Sequence, residues 1–411
     1  MDTNSEKLTF AEEFKLFGFF YIMQAIYWMS IGFMAAYWIL YYYQLDLRFA
    51  AISLILLVSS IASLIFEIPT GIVADIFGRK ISVFLSYLIA GLCFVGIILV
   101  GANLIGILIF SFFLGVAQTF KTGALESWFI DTIKYRGKSK FTHKLLGRQG
   151  SIGSAGFVIG PFLGGILANH GLTKAFWATA LSMLFLAIYV LFGKEEYFKQ
   201  QKIRIIESFK EAIETGKRGL SLTIKHSTML ILTVISFFLT LAFALAYNSY
   251  QPHVTNLGLQ QQYLGYALSI AGLISIFVLN YSDKISKFFG GRKNSLMIFT
   301  ILAGIAIFLI GTMWIPLILF MAIIAWTVIY ELMSPDSAPA FRDLFNSFVP
   351  GKIRATVGSM QSFVMTIGGM VGLILFGLIG ELWGLKTGLV GASSIVLVTS
   401  LLYFGIKKLE R

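Results

Sequence analysis

Apolar runs long enough to cross a bilayer, about 20 residues each, recur along the whole chain. They lie at 14–42, 51–74, 81–100, 104–132, 147–168, 174–193, 228–250, 262–281, 294–313, 315–334, 355–380 and 386–406. In lipid the backbone must satisfy its own N–H and C=O groups, so a chain with this many runs is committed to membrane helices. Only 13% of its residues are charged, against about 25% in ordinary globular domains, which excludes a soluble enzyme. Several runs exceed the minimum, so tilt or helical extension beyond the lipid is expected. The first run has no basic leader and no short cleavage site and is expected to stay as a helix.

A net charge of +12 would suggest nucleic acid in a soluble protein, but its placement gives another answer. Of the 32 Lys and Arg residues, Arg48, Lys174 and Lys386 fall at one set of loops and Lys121 falls inside a run, leaving 28 on the other side. The positive-inside rule then puts both termini in the cytoplasm, and no nucleic-acid partner is implied. Cys93 is the only cysteine, the four histidines (His143, His170, His226, His253) are dispersed, and no metal or cofactor site is expected. No Walker-type phosphate loop is present, so energy for pumping would come from an ion gradient or another subunit.

Residues 194–227 form the one long polar break. Within it Ile203, Ile206, Phe209 and Ile213 recur at helical spacing, which predicts a helix on the membrane surface or a solvated linker with some helix. It divides the chain into 1–193 and 228–411, six runs each. The halves echo one another: Gly78-Arg79-Lys80 recurs as Gly291-Arg292-Lys293, and Glu126-x4-Asp131 as Glu331-x4-Asp336. Such copies mark an internal repeat, with a site at the repeat interface near the midplane.

The turn between runs 2 and 3 reads Gly71-Ile-Val-Ala-Asp75-Ile-Phe-Gly78-Arg79-Lys80. It resembles the loop 2–3 signature of the major facilitator superfamily, G-x-x-x-D-x-x-G-R-K. Run 5 contains Gly156-x3-Gly160-Pro161-x2-Gly164-Gly165, which resembles the helix 5 motif of that family's exporters and antiporters. The resemblance implies an all-α membrane protein of twelve transmembrane helices in two pseudo-symmetric six-helix bundles. It further implies a multi-pass protein of a bacterial inner membrane that works as a monomer on a small-molecule substrate and protons. Asp75 would meet the start of helix 11 near Lys352–Val357, and Arg79 would pair with Asp131, together gating the cytoplasmic side. Gly71 is expected to permit close helix approach, Gly78 a sharp turn, and Gly265 and Gly272 to oppose the run 5 glycines. Thr119 stands where drug antiporters of the family carry a helix 4 arginine, so coupling through that arginine is not expected.

Lys121 falls near the middle of run 4, where a cation is costly and marks a site or a buried partner; a substrate anion, a charge switch and a pair with Glu126 or another helix are the readings. Glu67, Glu126 and Glu331 are buried-acid candidates for proton coupling or for gating bridges, with Arg148 as the cytoplasmic partner for one of them. Runs 1, 4, 7 and 10 line the cavity in the resembled fold and offer Gln24, Tyr27, Trp28, Gln118, Tyr247, Asn248, Trp326 and Tyr330. Aromatic rings with a few amides suit an amphipathic organic molecule, although Tyr and Trp also form interfacial belts, as expected of Tyr41, Tyr42 and Tyr43. These features predict an exporter, similar to drug:proton antiporters, that exchanges protons for a small amphipathic organic molecule, anionic and zwitterionic cargo included, by alternating access. The alternatives are a proton-coupled importer of an anionic metabolite and a non-transporting membrane sensor or scaffold.

Overall fold

A computed structural model describes residues 8–197, 205–349 and 353–406. Among them there is no strand, and twelve helical spans are long and apolar enough to cross a membrane. The first half comprises α1 (Phe10–Ala35), α2 (Trp38–Gln44), α3 (Phe49–Phe77), α4 (Arg79–Val100), α5 (Leu104–Lys121), α6 (Ala124–Tyr135), α7 (Thr142–Asn169) and α8 (Leu172–Leu191). The connecting helix is α9 (Ile205–Lys225). The second half comprises α10 (Ser227–Asn256), α11 (Gln262–Asn280), α12 (Ser282–Phe288), α13 (Arg292–Thr312), α14 (Pro316–Met333), α15 (Pro339–Phe348), α16 (Arg354–Leu382) and α17 (Leu385–Leu401).

The first and fourth apolar runs are each two helices. The fourth breaks at Thr122–Gly123, where Gly123 has φ 74°, a backbone that a β-carbon disfavours. The first breaks at Ala36–Tyr37, and the tenth ends at Met333, so that Asp336 sits in the turn before α15. Tyr41 and Tyr42, expected in an interfacial belt, are buried, and Tyr41 stacks on Phe176 at 3.9 Å. The linker helix starts at Ile205 and packs on α16, with Gly219 against the backbone of Thr356. Ile203 and the side chains of Ile206, Phe209 and Ile213 lie outside the described residues.

The internal repeat is stronger in three dimensions than in sequence. Gly78 and Gly291 both turn with positive φ, 103° and 112°. Lys80 Nζ donates to Leu191 O at 2.8 Å, and Lys293 Nζ donates to Ile406 O at 2.7 Å. Arg79 pairs with Asp131, and Arg292 with Asp343 at 3.0 Å. The counterpart of Asp131 is therefore Asp343 on α15; the Glu-x4-Asp echo pointed instead to Asp336, which makes no such pair among the described residues.

Between apolar helices in lipid there is no hydrophobic drive, so close backbone contact and a few polar bonds hold the bundles. A β-carbon on Gly156, Gly160 or Gly164 would strike the carbonyls of Ala25, Met29 or Phe33. The partner of that face is α1 in the same bundle. Gly265 of the other bundle opposes Pro161 and Tyr37, and Gly272 meets only the Val158 side chain. The bonds that join the bundles among the described residues lie toward one end. They include Gln251 Oε1 accepting from Ile39 N (3.1 Å), Tyr247 OH donating to Ala35 O (2.8 Å), Ser53 Oγ donating to Leu373 O (2.7 Å) and Gly265 N donating to Tyr37 OH (3.0 Å). Arg48 and Glu381 add an ion pair at 3.4 Å there. Toward the opposite end, which carries the basic loops, a β-carbon on Gly71, Gly147, Gly150 or Gly358 would meet nothing within 4 Å. Gly71 makes no close helix contact here, contrary to expectation. The bundles are thus joined away from the basic face and parted toward it.

Gly164→Val should therefore lower the melting temperature in detergent by the equivalent of about 1–3 kcal/mol of overpacking. Gly147→Val, which faces open space, should change it little; equal melting of the two variants would refute this packing.

Candidate functional site

The space between the bundles is a cavity with two connected lobes, about 700 Å³ and 610 Å³, that share Ser60, Phe157, Tyr247, Asn248, Thr366 and Leu373. The second-half lobe is walled by α10 and α14 and carries Tyr247, Asn248, Trp326, Tyr330 and Glu331, all singled out from sequence, with Asp336 added. The first-half lobe carries Glu67 and Gln118 together with Ser59, Ser63, Thr119 and Thr122. Among the described residues, no Lys or Arg lines either lobe. None of Glu67, Glu331 and Asp336 has an ion-pair partner there. Not every expected polar group is free: Tyr247 OH is spent on Ala35 O, and Asn248 Nδ2 donates to Ala244 O at 2.5 Å.

Lys121, Gln24, Tyr27 and Trp28 stand outside this lining. Lys121 is the last residue of α5, and its Nζ lies 3.2 Å from the Tyr27 ring centroid and 5.8 Å from that of Trp28. The break at Gly123 makes Lys121 the last residue of α5, and its ammonium lies over the Tyr27 ring with Trp28 beside it, a cation–π contact that offsets part of the cost of burial. The expected pair with Glu126 does not form, and Glu126 is exposed on α6, away from the cavity. Thr119 is tied to its own helix through Val116 O.

A second cluster lies at the basic face. Arg79 forms an ion pair with Asp131 and also donates to Ser127 O at 3.1 Å. The Glu195 carboxylate accepts from Arg79 N at 2.8 Å and Lys80 N at 3.0 Å, closing the first turn of α4. Gly78 has to be glycine twice over, for its positive φ and because a β-carbon would press on Glu195 Oε2. Asp75 lines the same hollow of about 620 Å³ with Asp131, Glu195 and Glu196; none of these belongs to the second half, and Lys352, in the expected partner segment of Asp75, lies outside the described residues. Glu195 was missed because nothing in a linker acid's spacing says which helix end it caps.

Arg148 reaches none of the three acids expected for it. Its NH1 bonds Glu13 Oε2 at 2.8 Å, and Tyr21 OH donates to Glu13 Oε1 at 2.7 Å. The Glu13 side chain is 0% exposed, and its place in the first turn of α1 reads in sequence as an ordinary N-terminal acid.

The Major Facilitator Superfamily model matches residues 18–372. The uncharacterised MFS-type transporter YxaM of Bacillus subtilis is 23% identical over 394 residues, covering 95% of this chain and 96% of that protein. An uncharacterised MFS-type transporter of Methanocaldococcus jannaschii is 24% identical over 370 residues, covering 87% and 89%. The solved nucleoside transporter NupG shares the fold with TM-score 0.73 at 17% identity, over 95% of this chain and 98% of that one. A D-xylose-proton symporter shares it with TM-score 0.66 at 12% identity, over 96% and 98%.

Removing Glu13 breaks its bonds to Arg148 and the Tyr21 hydroxyl but leaves Arg148 partly exposed to solvent, a loss of about 2–3 kcal/mol on the scale of charge-assisted hydrogen bonds. Glu13→Ala should accordingly be the most destabilising acid substitution. Glu195→Ala, which loses only a helix cap, should cost about 1 kcal/mol. Melting curves of the two variants check the order, and the reverse order would refute the assignment.

Proposed function

Because this chain belongs to the Major Facilitator Superfamily and is a transporter rather than an enzyme, we propose that it exports a small organic molecule in exchange for protons by alternating access. The observation that carries this reading is the interbundle cavity lined by carboxylates with no basic partner and joined across only one end. The excess of Lys and Arg on the open side supports a cytoplasmic basic face in a bacterial inner membrane, with both termini on that side. In this orientation the cavity faces the cytoplasm and receives cargo from within. Glu331 and Asp336 are the proton carriers at its mouth, with Glu67 on the facing wall.

Opening to the other side would break the bonds of Gln251, Tyr247, Ser53 and Tyr37, and bring the bare Gly71 and Gly358 surfaces of α3 and α16 together. Interhelical bonds in membrane proteins average only about 0.6 kcal/mol each, so the exchange is energetically accessible. Asp75, Arg79 and Asp131 act as the gate at that closure, with Arg148 holding α7 to α1 through Glu13. The helix 5 motif, Gly156, Gly160, Pro161, Gly164 and Gly165, keeps α7 fixed to α1 while its outer edge meets α11.

Proteoliposomes under an imposed pH gradient, screened with fluorescent amphiphiles of either charge, test the exchange. Protons and amphiphile should move in opposite directions, and Glu331→Gln with Asp336→Asn should abolish gradient-driven accumulation while counterflow persists. Co-directional movement would refute export. It would favour the alternative, proton-coupled import of an anionic metabolite, for which the unpaired Lys121 speaks. On the export reading Lys121→Ala leaves substrate affinity unchanged; on the import reading it removes it.

A further inference from the structure

The break in the first apolar run has no local cause. Met34 to Tyr41 contains neither proline nor glycine, and α1 stops within Ala35–Ala36, although alanine is the best helix former. A helix without such residues breaks where a foreign side chain enters its i→i−4 ladder. Gln251 of α10 is that side chain. In an unbroken helix Ile39 N would donate to Ala35 O. Here Ile39 N donates to Gln251 Oε1 at 3.1 Å, and Gln251 Nε2 donates to Ala35 O at 3.3 Å. The amide has only this orientation, because a backbone N–H only donates and a carbonyl only accepts. Tyr247 OH gives Ala35 O a second donor at 2.8 Å, and Tyr37, at the break with φ −131° and ψ 0°, accepts at its hydroxyl from Gly265 N at 3.0 Å. Gln251 and Tyr37 are both 0% exposed, so the freed backbone groups depend on these partners. The groups that occupy the break, Gln251, Tyr247 and the Gly265 N–H, all come from the second bundle.

We propose that Gln251 is a wedge that keeps α1 and α2 apart only while the bundles are joined at this end, and that α1 and α2 become one continuous helix when the bundles part there. Withdrawal of Gln251 leaves Ile39 N–H and Ala35 C=O to bond each other, so a bridge between bundles is exchanged for a bond within one. Two polar groups whose burial unpaired would be costly are then satisfied in both states. The break at Thr122–Gly123 differs in kind, because glycine itself favours its positive φ. The proposal rests on the alternating-access reading above and supplies the means by which its joined end opens reversibly.

The full chain carrying Cys93→Ser and Ser53→Cys is labelled in nanodiscs with a membrane-impermeant maleimide. Ser53 is 4% exposed and donates to Leu373 O across the joined end, so the labelling rate reads how often that end opens. Gln251→Leu should raise the rate several-fold. Ile39→Pro should cancel that rise, because proline is tolerated in the first turn of α2 but not inside a continuous helix, where it removes the bond to residue 35 and clashes with that carbonyl. The Gln251→Leu/Ile39→Pro variant should therefore label no faster than the parent. A simple latch gives the opposite sign: Ile39→Pro deletes a bond across the seam, so alone it would speed labelling, and with Gln251→Leu it would change nothing. If Ile39→Pro does not fold, Ala36→Gly decides in its place and should slow the Gln251→Leu variant, since glycine weakens a helix that alanine favours. An unchanged rate in Gln251→Leu, a faster rate in Ile39→Pro alone, or no slowing of Gln251→Leu by the second substitution would overturn the proposal. The expected labelling shifts without proton-linked flux would instead overturn the exchange reading and leave the helix switch standing.

Discussion

Apolar helices in lipid gain nothing from hiding their side chains from one another, so this protein depends on where its backbones can touch. Within the first bundle three glycines of α7 lie against three carbonyls of α1, one helical turn apart. That contact has no rotamer freedom and nothing that can give, which makes α1 and α7 one rigid unit. Between bundles the same principle is applied at one end only. Gly265 and Tyr37 bring the outer ends together, while Gly71, Gly147, Gly150 and Gly358 are bare. A transporter needs both kinds of seam, one that never opens and one that opens on alternate sides, and the same residue type makes each.

The two halves reuse one anchoring device. A glycine with positive φ turns the chain, the next residue is an arginine paired with an aspartate, and the following lysine closes a carbonyl at the end of the bundle's last helix. In this state the ion pairs of each basic face are formed within one bundle. The charges at the cavity carry no such bonds. Locked ion pairs fix the bodies that move, and unpaired acids remain available at the surface between them.

The fold was legible because its signals are long or redundant. Twelve apolar runs, the Gly78-Arg79-Lys80 turn and the run 5 glycines each span many residues, and lipid leaves the backbone few alternatives. The cavity walls were legible in part. Tyr247, Asn248, Trp326, Tyr330 and Gln118 line the lobes because spans 4, 7 and 10 face inward, whereas Gln24, Tyr27 and Trp28 of span 1 do not line them. What failed was pairing. Arg148 meets Glu13, α4 is capped by Glu195, and Asp131 is mirrored by Asp343, each across a separation that no local spacing encodes. The helix break at Gly123 was equally hidden, and it is what lets Lys121 sit at a helix end on Tyr27.

That break decides how the electrostatics of the interior should be read. A lone lysine deep in a membrane invites an anionic cargo, because an unpaired ion there is expensive. Lys121, however, has the Tyr27 and Trp28 rings as partners, and those contacts offset part of that cost. The cavity acids have no comparable support. Their wall is aromatic, no Lys or Arg among the described residues lines it, and a carboxylate beside such a wall keeps an uncompensated desolvation cost until something neutral or cationic meets it. A proton can meet that need, and so can a positively charged cargo, but not both at the same oxygen. The proposed exchange would need no separate coupling device: one pair of acids, accessible from one side at a time, would make release of the first ligand the condition for binding the second.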